Sequence, residues 1–156
     1  MTEVRAGLVD LYPLRHGPAG LEALVLRRGP HGRCPGSWEA VHGHVEPDDP
    51  SPAHAALREL AEETGLPAER LYNLSRVEAF WVQASGAVQL VPAFAAFVAP
   101  DIPVRLSAEH DAAEWLPLEV ARARCTWPRS ARALEDAGRL LGAGHAGPVE
   151  DVLRVW

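Results

Sequence analysis

The 156-residue sequence predicts an α/β fold, a mixed β-sheet covered by helices. Three observations lead there. Segments with strand character recur along the chain, divided by Gly and Pro turn signals. A helical segment, residues 51–64, carries a start signal and a stop signal, and a second helical stretch runs through 129–141. A composition of 47% hydrophobic and 23% charged residues is that of an ordinary globular protein, in a chain long enough for one domain with a real core (residues 1–156).

Residues 4–14 and 22–28 read as strands joined across Gly17-Pro18-Ala19-Gly20. Residues 29–37, with three Gly and two Pro, read as a loop, and 38–45 as a strand alternating around Gly43. Ser51 is an N-cap, whose hydroxyl can accept from an orphan helical N–H, and Pro52 at N1 has no N–H to satisfy. Gly65 is the stop. Residues 75–84 and 88–98 form a strand pair across Ser85-Gly86, and Pro92 marks an edge or a bulge because it cannot donate to a ladder. Residues 112–116 read as a short strand, 117–123 as a short helix and 129–141 as a final helix ending near Gly142. The tail 144–156 receives no element. There is no internal repeat and no linker long enough to divide the chain.

The segment Arg58-Glu59-Leu60-Ala61-Glu62-Glu63-Thr64-Gly65-Leu66 carries the most chemical information. At 100° per residue, Ala53, Ala56, Leu57, Leu60 and Thr64 form the core-facing stripe. Glu59 and Glu62 fall on the far side, with Glu63 near its border. These acids stand at i, i+3 and i+4, where like charges weaken a helix by roughly 0.2–0.5 kcal/mol per pair. A plain solvated face is one reading. A bound divalent cation that offsets the repulsion is the other, since hard cations take oxygen ligands and the helix C-terminus favours positive charge. Upstream, a strand, a Gly turn and a loop with Asp48 and Asp49 bring main-chain amides and carboxylates together. That suits a metal-bridged polyphosphate.

Gly43 through Leu66 resembles the Nudix box, G-x5-E-x7-R-E-U-x-E-E-x-G-U, where U is a bulky aliphatic residue. Gly43, Arg58, Glu59, Leu60, Glu62, Glu63, Gly65 and Leu66 match in type, and the segment covers 24 of 156 residues. Two departures stand out. Arg58 lies fifteen residues after Gly43 where the box has fourteen, which places an extra residue in Asp48-Asp49-Pro50, ahead of the helix. Asp49 stands where the box has Glu. His42 also occupies a position that is often small.

The resemblance implies a Nudix α/β/α sandwich and a divalent cofactor, Mg²⁺ with Mn²⁺ as the alternative. It implies metal ligation by Glu59, Glu62 and Glu63, with Glu62 or Glu63 doubling as water activator. Arg58 would orient a catalytic carboxylate through a charge-assisted pair; an ordinary surface ion pair is its plainer reading. Glu109, in a loop before a strand, is the candidate for an extra ligand or base, against a solvated loop acid. His110 is expected as a hydrogen-bonding partner rather than a ligand.

Trp38-Glu39-Ala40-Val41-His42-Gly43 is similar to the W-x-x-V-x-G segment of family members acting on dihydroneopterin triphosphate and dATP. Trp38 is therefore a candidate to stack on a base or pterin ring, with a core Trp as the alternative. Trp81 and Trp127 invite the same reading. Arg27 and Arg28 end a strand ahead of the Gly-rich loop, and Arg28 is the candidate phosphate contact. His42, Gly43 and His44 alternate with Val41 and Val45, so the two histidines are expected to share the pocket-facing side.

Composition sets the remaining limits. No apolar run approaches the ~20 residues of a membrane span, and the N-terminus lacks a signal peptide's pattern, so a cytoplasmic protein is expected. Cys34 and Cys125 are far apart and expected as reduced thiols. A net charge of −6 argues against an extended nucleic-acid surface. The expected partner is a small nucleotide-like diphosphate, and a homodimer is compatible with the sequence. The expected function is a metal-dependent pyrophosphohydrolase releasing a monophosphate and pyrophosphate from a nucleoside triphosphate-like substrate. Hydrolysis of a dinucleoside polyphosphate or nucleotide sugar is one alternative, and a non-catalytic ligand-binding module is another.

Overall fold

A computed structural model describes residues 1–156. The elements are β1 (Glu3–Arg5), β2 (Leu8–Gly17), β3 (Gly20–Arg28), β4 (Trp38–Glu39), β5 (Val41–His44), α1 (Pro52–Thr64), β6 (Arg70–Val82), β7 (Ala87–Phe97), β8 (His110–Pro117), α2 (Leu118–Arg124), α3 (Pro128–Leu141) and α4 (Glu150–Leu153). All strands belong to one mixed sheet. β7 has β6 antiparallel on one side, and β1 and β2 parallel on the other. β2 pairs antiparallel with β3 and β5, and β3 pairs antiparallel with β4 and β8.

Period-two alternation sorts the strands onto two faces. In β2, Val9 and Leu11 join Leu24, Leu26, Val41, Phe94 and Leu60 in the cluster beneath α1. Tyr12 and Leu14 join Val25, Phe97, Ala133, Leu134 and Leu141 beneath α2 and α3. Helices on both faces of a mixed sheet make the α/β/α sandwich. Each fully buried Leu in these layers contributes about 1.5–3 kcal/mol by leaving water.

α1 is bounded as its sequence predicts. The Ser51 hydroxyl accepts from the His54 N–H at 3.4 Å, and Gly65, at φ 70°, donates to Ala61 O at 2.9 Å. Its buried face differs from the expected stripe. Ala55 is fully buried, and Glu63 lies inside at 4% exposure rather than at the border of a solvated face.

Other differences have local causes. The strand expected over 4–14 divides at Ala6-Gly7, because β1 departs to pair with β7. Residues 38–45 divide at Ala40, where the chain changes from pairing with β3 to pairing with β2. β6 begins at Arg70 rather than 75. Its register shifts between Asn73 and Val77, where Ser75 adopts φ 52°, so the alternation in sequence breaks there. Pro92, opposite Val77, sits beside that bulge. α3 is not the last helix. The tail forms a 3-10 turn at Gly147–Val149 and then α4, tied back to β6 by Tyr72 Oη donating to Glu150 at 2.8 Å and Val155 N–H donating to Leu71 O at 2.8 Å.

Candidate active site

Arg58 is the hub of the acidic helix. It sits in the middle of α1, with the 45–51 loop on one side and the acids of its own helix on the other. Its Nε and Nη2 grip the two oxygens of Asp49 at 3.1 and 2.8 Å. Nη1 donates to Glu59 at 2.9 Å and to Glu62 at 3.3 Å, and Nη2 also donates to His44 O at 2.7 Å. Asp49 in turn accepts from the Glu46 N–H at 2.7 Å. The shorter acid thus anchors its loop, and the added residue lies before the helix without disturbing the register of its acids. Arg58 pulls the Asp49 carboxyl below its ordinary range. It does the same to Glu59 less strongly than burial, which leaves Glu59 raised.

Glu63 is the most perturbed acid. Burial, then the charges of Glu59, Glu39 and Glu109, push its pKa up to about 9. Its Oε2 is buried without a hydrogen-bond partner. Glu39, absent from the sequence expectations, stands nearby on β4. Its carboxylate accepts from Arg28 Nη1 at 2.9 Å and lies 3.3 Å from His110 Nε2. Burial would raise Glu39, but His110 and Arg28 outweigh it and hold it low. His110 is buried, as a partner to Glu39, and its Nδ1 has no partner. Glu109 is exposed beside it, near enough to act electrostatically on Glu59, Glu63 and Arg28.

These oxygen donors fit a hard divalent cation. An orphaned, buried carboxylate oxygen among other acids is a group whose charged form needs a cation. No three acids or histidines stand in a ready-made cage. The Glu59 and Glu62 carboxylates turn toward Arg58 instead.

β5 separates two environments. Val41 and Gly43 face α1, and a Cβ at Gly43 would meet the Glu59 carboxylate. His42 and His44 face the other way, as expected, into an open cleft of about 1210 Å³. Phe80, Trp81, Gln89, Trp127 and Arg129 also line that cleft, and Arg28 and Glu39 form the part of its wall that leads toward the acids of α1. Trp38 is not brought into it. The Trp38 ring packs against the core with Arg27 and Arg124 over it at 5.9 and 4.8 Å.

Asp10 and Arg129 were also missed by sequence reasoning. Asp10 is 2% exposed behind two residues of the cleft wall, its two oxygens contacting His42 Nδ1 at 2.6 Å and Arg129 Nε at 2.8 Å. A charge within the apolar run Leu8-Val9-Asp10-Leu11 was the available signal for it, because buried carboxylates need partners. Nothing local in the sequence marks Arg129.

Residues 3–137 match the family described as NUDIX domain. The octanoyltransferase of Myxococcus xanthus is 44% identical over 110 residues, which is 69% of this chain and 29% of that protein. The asymmetrical bis(5'-nucleosyl)-tetraphosphatase of Rattus norvegicus is 36% identical over 86 residues, 54% of this chain and 58% of that one. The chain therefore spans less than two thirds of either relative. A solved C. elegans Ap4A hydrolase binary complex has a TM-score of 0.72 at 26% identity, covering 87% of this chain and 97% of that one.

Proposed function

The chain belongs to the Nudix family, and from that premise we propose that it is a divalent-metal-dependent hydrolase of phosphoanhydrides, cleaving a nucleoside triphosphate-like substrate to a monophosphate and pyrophosphate. The observation that carries this reading is Glu63, a buried carboxyl with an unpartnered oxygen beside Glu59, Glu39 and Glu109.

Glu59, Glu62 and Glu63 would hold Mg²⁺, or Mn²⁺ in its place. When bound, the ion would neutralise phosphate oxygens and acidify water in the site. Arg58 keeps Glu59 and Glu62 aligned with the 45–51 loop through Asp49. Glu62 has the most exposed carboxylate of the three, with only one oxygen on Arg58, and would take a proton from attacking water through the other; Glu109, at the rim, is the other candidate base. Arg28, set by Glu39 and by Arg33 O, offers charge to a phosphate entering from the cleft.

A second reading has a specific support. The tetraphosphatase and Ap4A hydrolase named above favour a dinucleoside polyphosphate as substrate. A panel of nucleoside triphosphates, pterin triphosphates, dinucleoside polyphosphates and nucleotide sugars, assayed for released phosphate and pyrophosphate with Mg²⁺, separates the two. Glu62→Gln should abolish nearly all turnover with the fold retained. Activity that survives exhaustive chelation, or a Glu62→Gln protein as active as wild type, would overturn the mechanism.

A further inference from the structure

We propose that Asp10 is the positioning residue of a subsite for the planar ring of the substrate, in the part of the cleft lined by Phe80 and Trp127, on the face of β5 opposite the acids of α1. The inference rests on the reading that the substrate is nucleotide-like, and it assigns the residues that recognise its non-phosphate end.

Asp10 lies in the Nudix-fold sheet but outside the box. It occupies β2 opposite His42 in the register, on the face beneath α3. A carboxylate at 2% exposure needs compensation, and Asp10 has it twice. One oxygen holds His42 Nδ1 at 2.6 Å and the other holds Arg129 Nε at 2.8 Å. Burial opposes its charge, but the His42 and Arg129 contacts prevail and keep it ionised.

The consequence lies in what these contacts leave over. His42 has Nδ1 committed to Asp10, so Nε2 is the nitrogen left for a ligand. Arg129 has Nε committed, and no protein group takes the hydrogens of its two Nη groups. Both side chains line the cleft, at 21% and 13% exposure. One carboxylate thus fixes the direction of two hydrogen-bonding groups that open into the same space. A surface histidine and arginine would each lose rotamer freedom on binding, whereas these are fixed beforehand.

The surroundings choose the ligand class. Arg129 is braced against Phe80 at 4.9 Å and Trp127 at 5.8 Å, and both rings line the cleft with Gln89. Aromatic faces beside a few fixed polar groups are the pattern for a flat heterocycle that stacks and is read along its edge. A phosphate-rich end would instead call for free cations, and the two α3 arginines of this wall, Arg129 and Arg132, each already face a carboxylate, Asp10 and Glu78.

Binding without turnover tests this. Calorimetric titration of the full chain, in chelator, with GMP, AMP and neopterin should give measurable affinity for at least one ring ligand. Ribose 5-phosphate should bind at least tenfold more weakly. Asp10→Asn should weaken ring binding tenfold or more, and in turnover should raise KM by the same factor while kcat changes less than threefold. His42→Ala, at a partly exposed side chain, should reproduce the loss should Asp10→Asn fail to fold. The proposal is overturned if these variants bind the ring ligands as wild type does, or if ribose 5-phosphate binds equally well. Ring binding that depends on Asp10 in a protein with no hydrolase activity would refute the hydrolase reading and keep this one. Turnover indifferent to Asp10 would do the reverse. GMP against neopterin distinguishes a purine from a pterin.

Discussion

Gly43 and Glu59 touch where β5 meets the acidic side of α1: a Cβ added at Gly43 would stand 2.0 Å from the Glu59 carboxyl carbon. Only a residue without a side chain allows this approach, because what a Cβ would meet is the Glu59 side chain itself, which would have to swing away. Gly43→Ala should therefore push Glu59 aside. Displacing a catalytic group by about 1 Å can cost on the order of 10²-fold in rate. Metal-dependent turnover should fall by about that factor with the folded structure retained, as judged by circular dichroism alongside kinetics.

Arg58 should not tolerate Lys. Its fork spans Asp49, Glu59, Glu62 and the His44 carbonyl at once, and a lysine ammonium cannot reproduce that planar set. Arg58→Lys should lose about 1–3 kcal/mol of stability, as for the loss of charge-assisted hydrogen bonds. Turnover should fall together with thermal stability. Equal stability with reduced turnover would confine Arg58 to catalysis.

Much of this was legible in the sequence for physical reasons. Ser51-Pro52 and Gly65 fix the ends of α1 through local backbone chemistry, so its bounds needed no tertiary information. The i, i+3, i+4 spacing likewise put the acids on neighbouring turns. The burial of Glu63 was not legible, because a helix wheel does not show how the loop at 105–107 folds over the helix end. There Arg105 N–H bonds to Thr64 O at 2.8 Å and Ser107 N–H to Glu63 O at 3.3 Å. Glu39 and Asp10 escaped for a related reason. Their meaning lies in partners far along the chain, Arg28 and His110 for one, Arg129 for the other. The tail helix was invisible because four residues carry no period, and its hold on β6 is through Tyr72 and Leu71.

Glu63 predicts a pH dependence with a definite sign. In the metal-free folded protein its pKa is about 9, against 4.5 for an ordinary Glu. Between those values the folded state keeps a proton that the unfolded chain has lost, so stability should fall as pH rises across that window and level off above it. Glu63→Gln removes the titrating group and should flatten the slope, making the variant more stable than wild type at pH 8 in chelator. Denaturant titrations from pH 5 to 9 measure this. On the proposed reading of Glu63 as a metal ligand, Mg²⁺ would displace the same proton, so its affinity should rise with pH below about 9 and its binding should release protons. A wild-type stability curve parallel to that of the variant would show that Glu63 is ionised in the folded protein.

Trp38 and Trp127 should behave oppositely, although the sequence motif points to Trp38 as the ring-stacking residue. Trp38 packs on the core beneath α2 and α3, its indole lies beneath Arg124 at 4.8 Å, and its main-chain N–H donates to Thr126 Oγ1 at 2.9 Å. Removing it opens a gap between β4 and the segment after α2, which should lower stability by about 3 kcal/mol. Because its ring does not line the cleft, KM for a nucleotide substrate should stay within about threefold, the loss being of packing rather than of binding. Trp127 lines the cleft at the start of α3 and is partly exposed. Trp127→Ala should raise KM by about tenfold, in line with the ~1–3 kcal/mol of a base–aromatic stack, and leave kcat nearly unchanged. Thermal melts and steady-state kinetics on both variants decide between the two placements: a Trp38→Ala protein with unchanged melting and a raised KM would move the ring-binding site across the sheet to the β4 side.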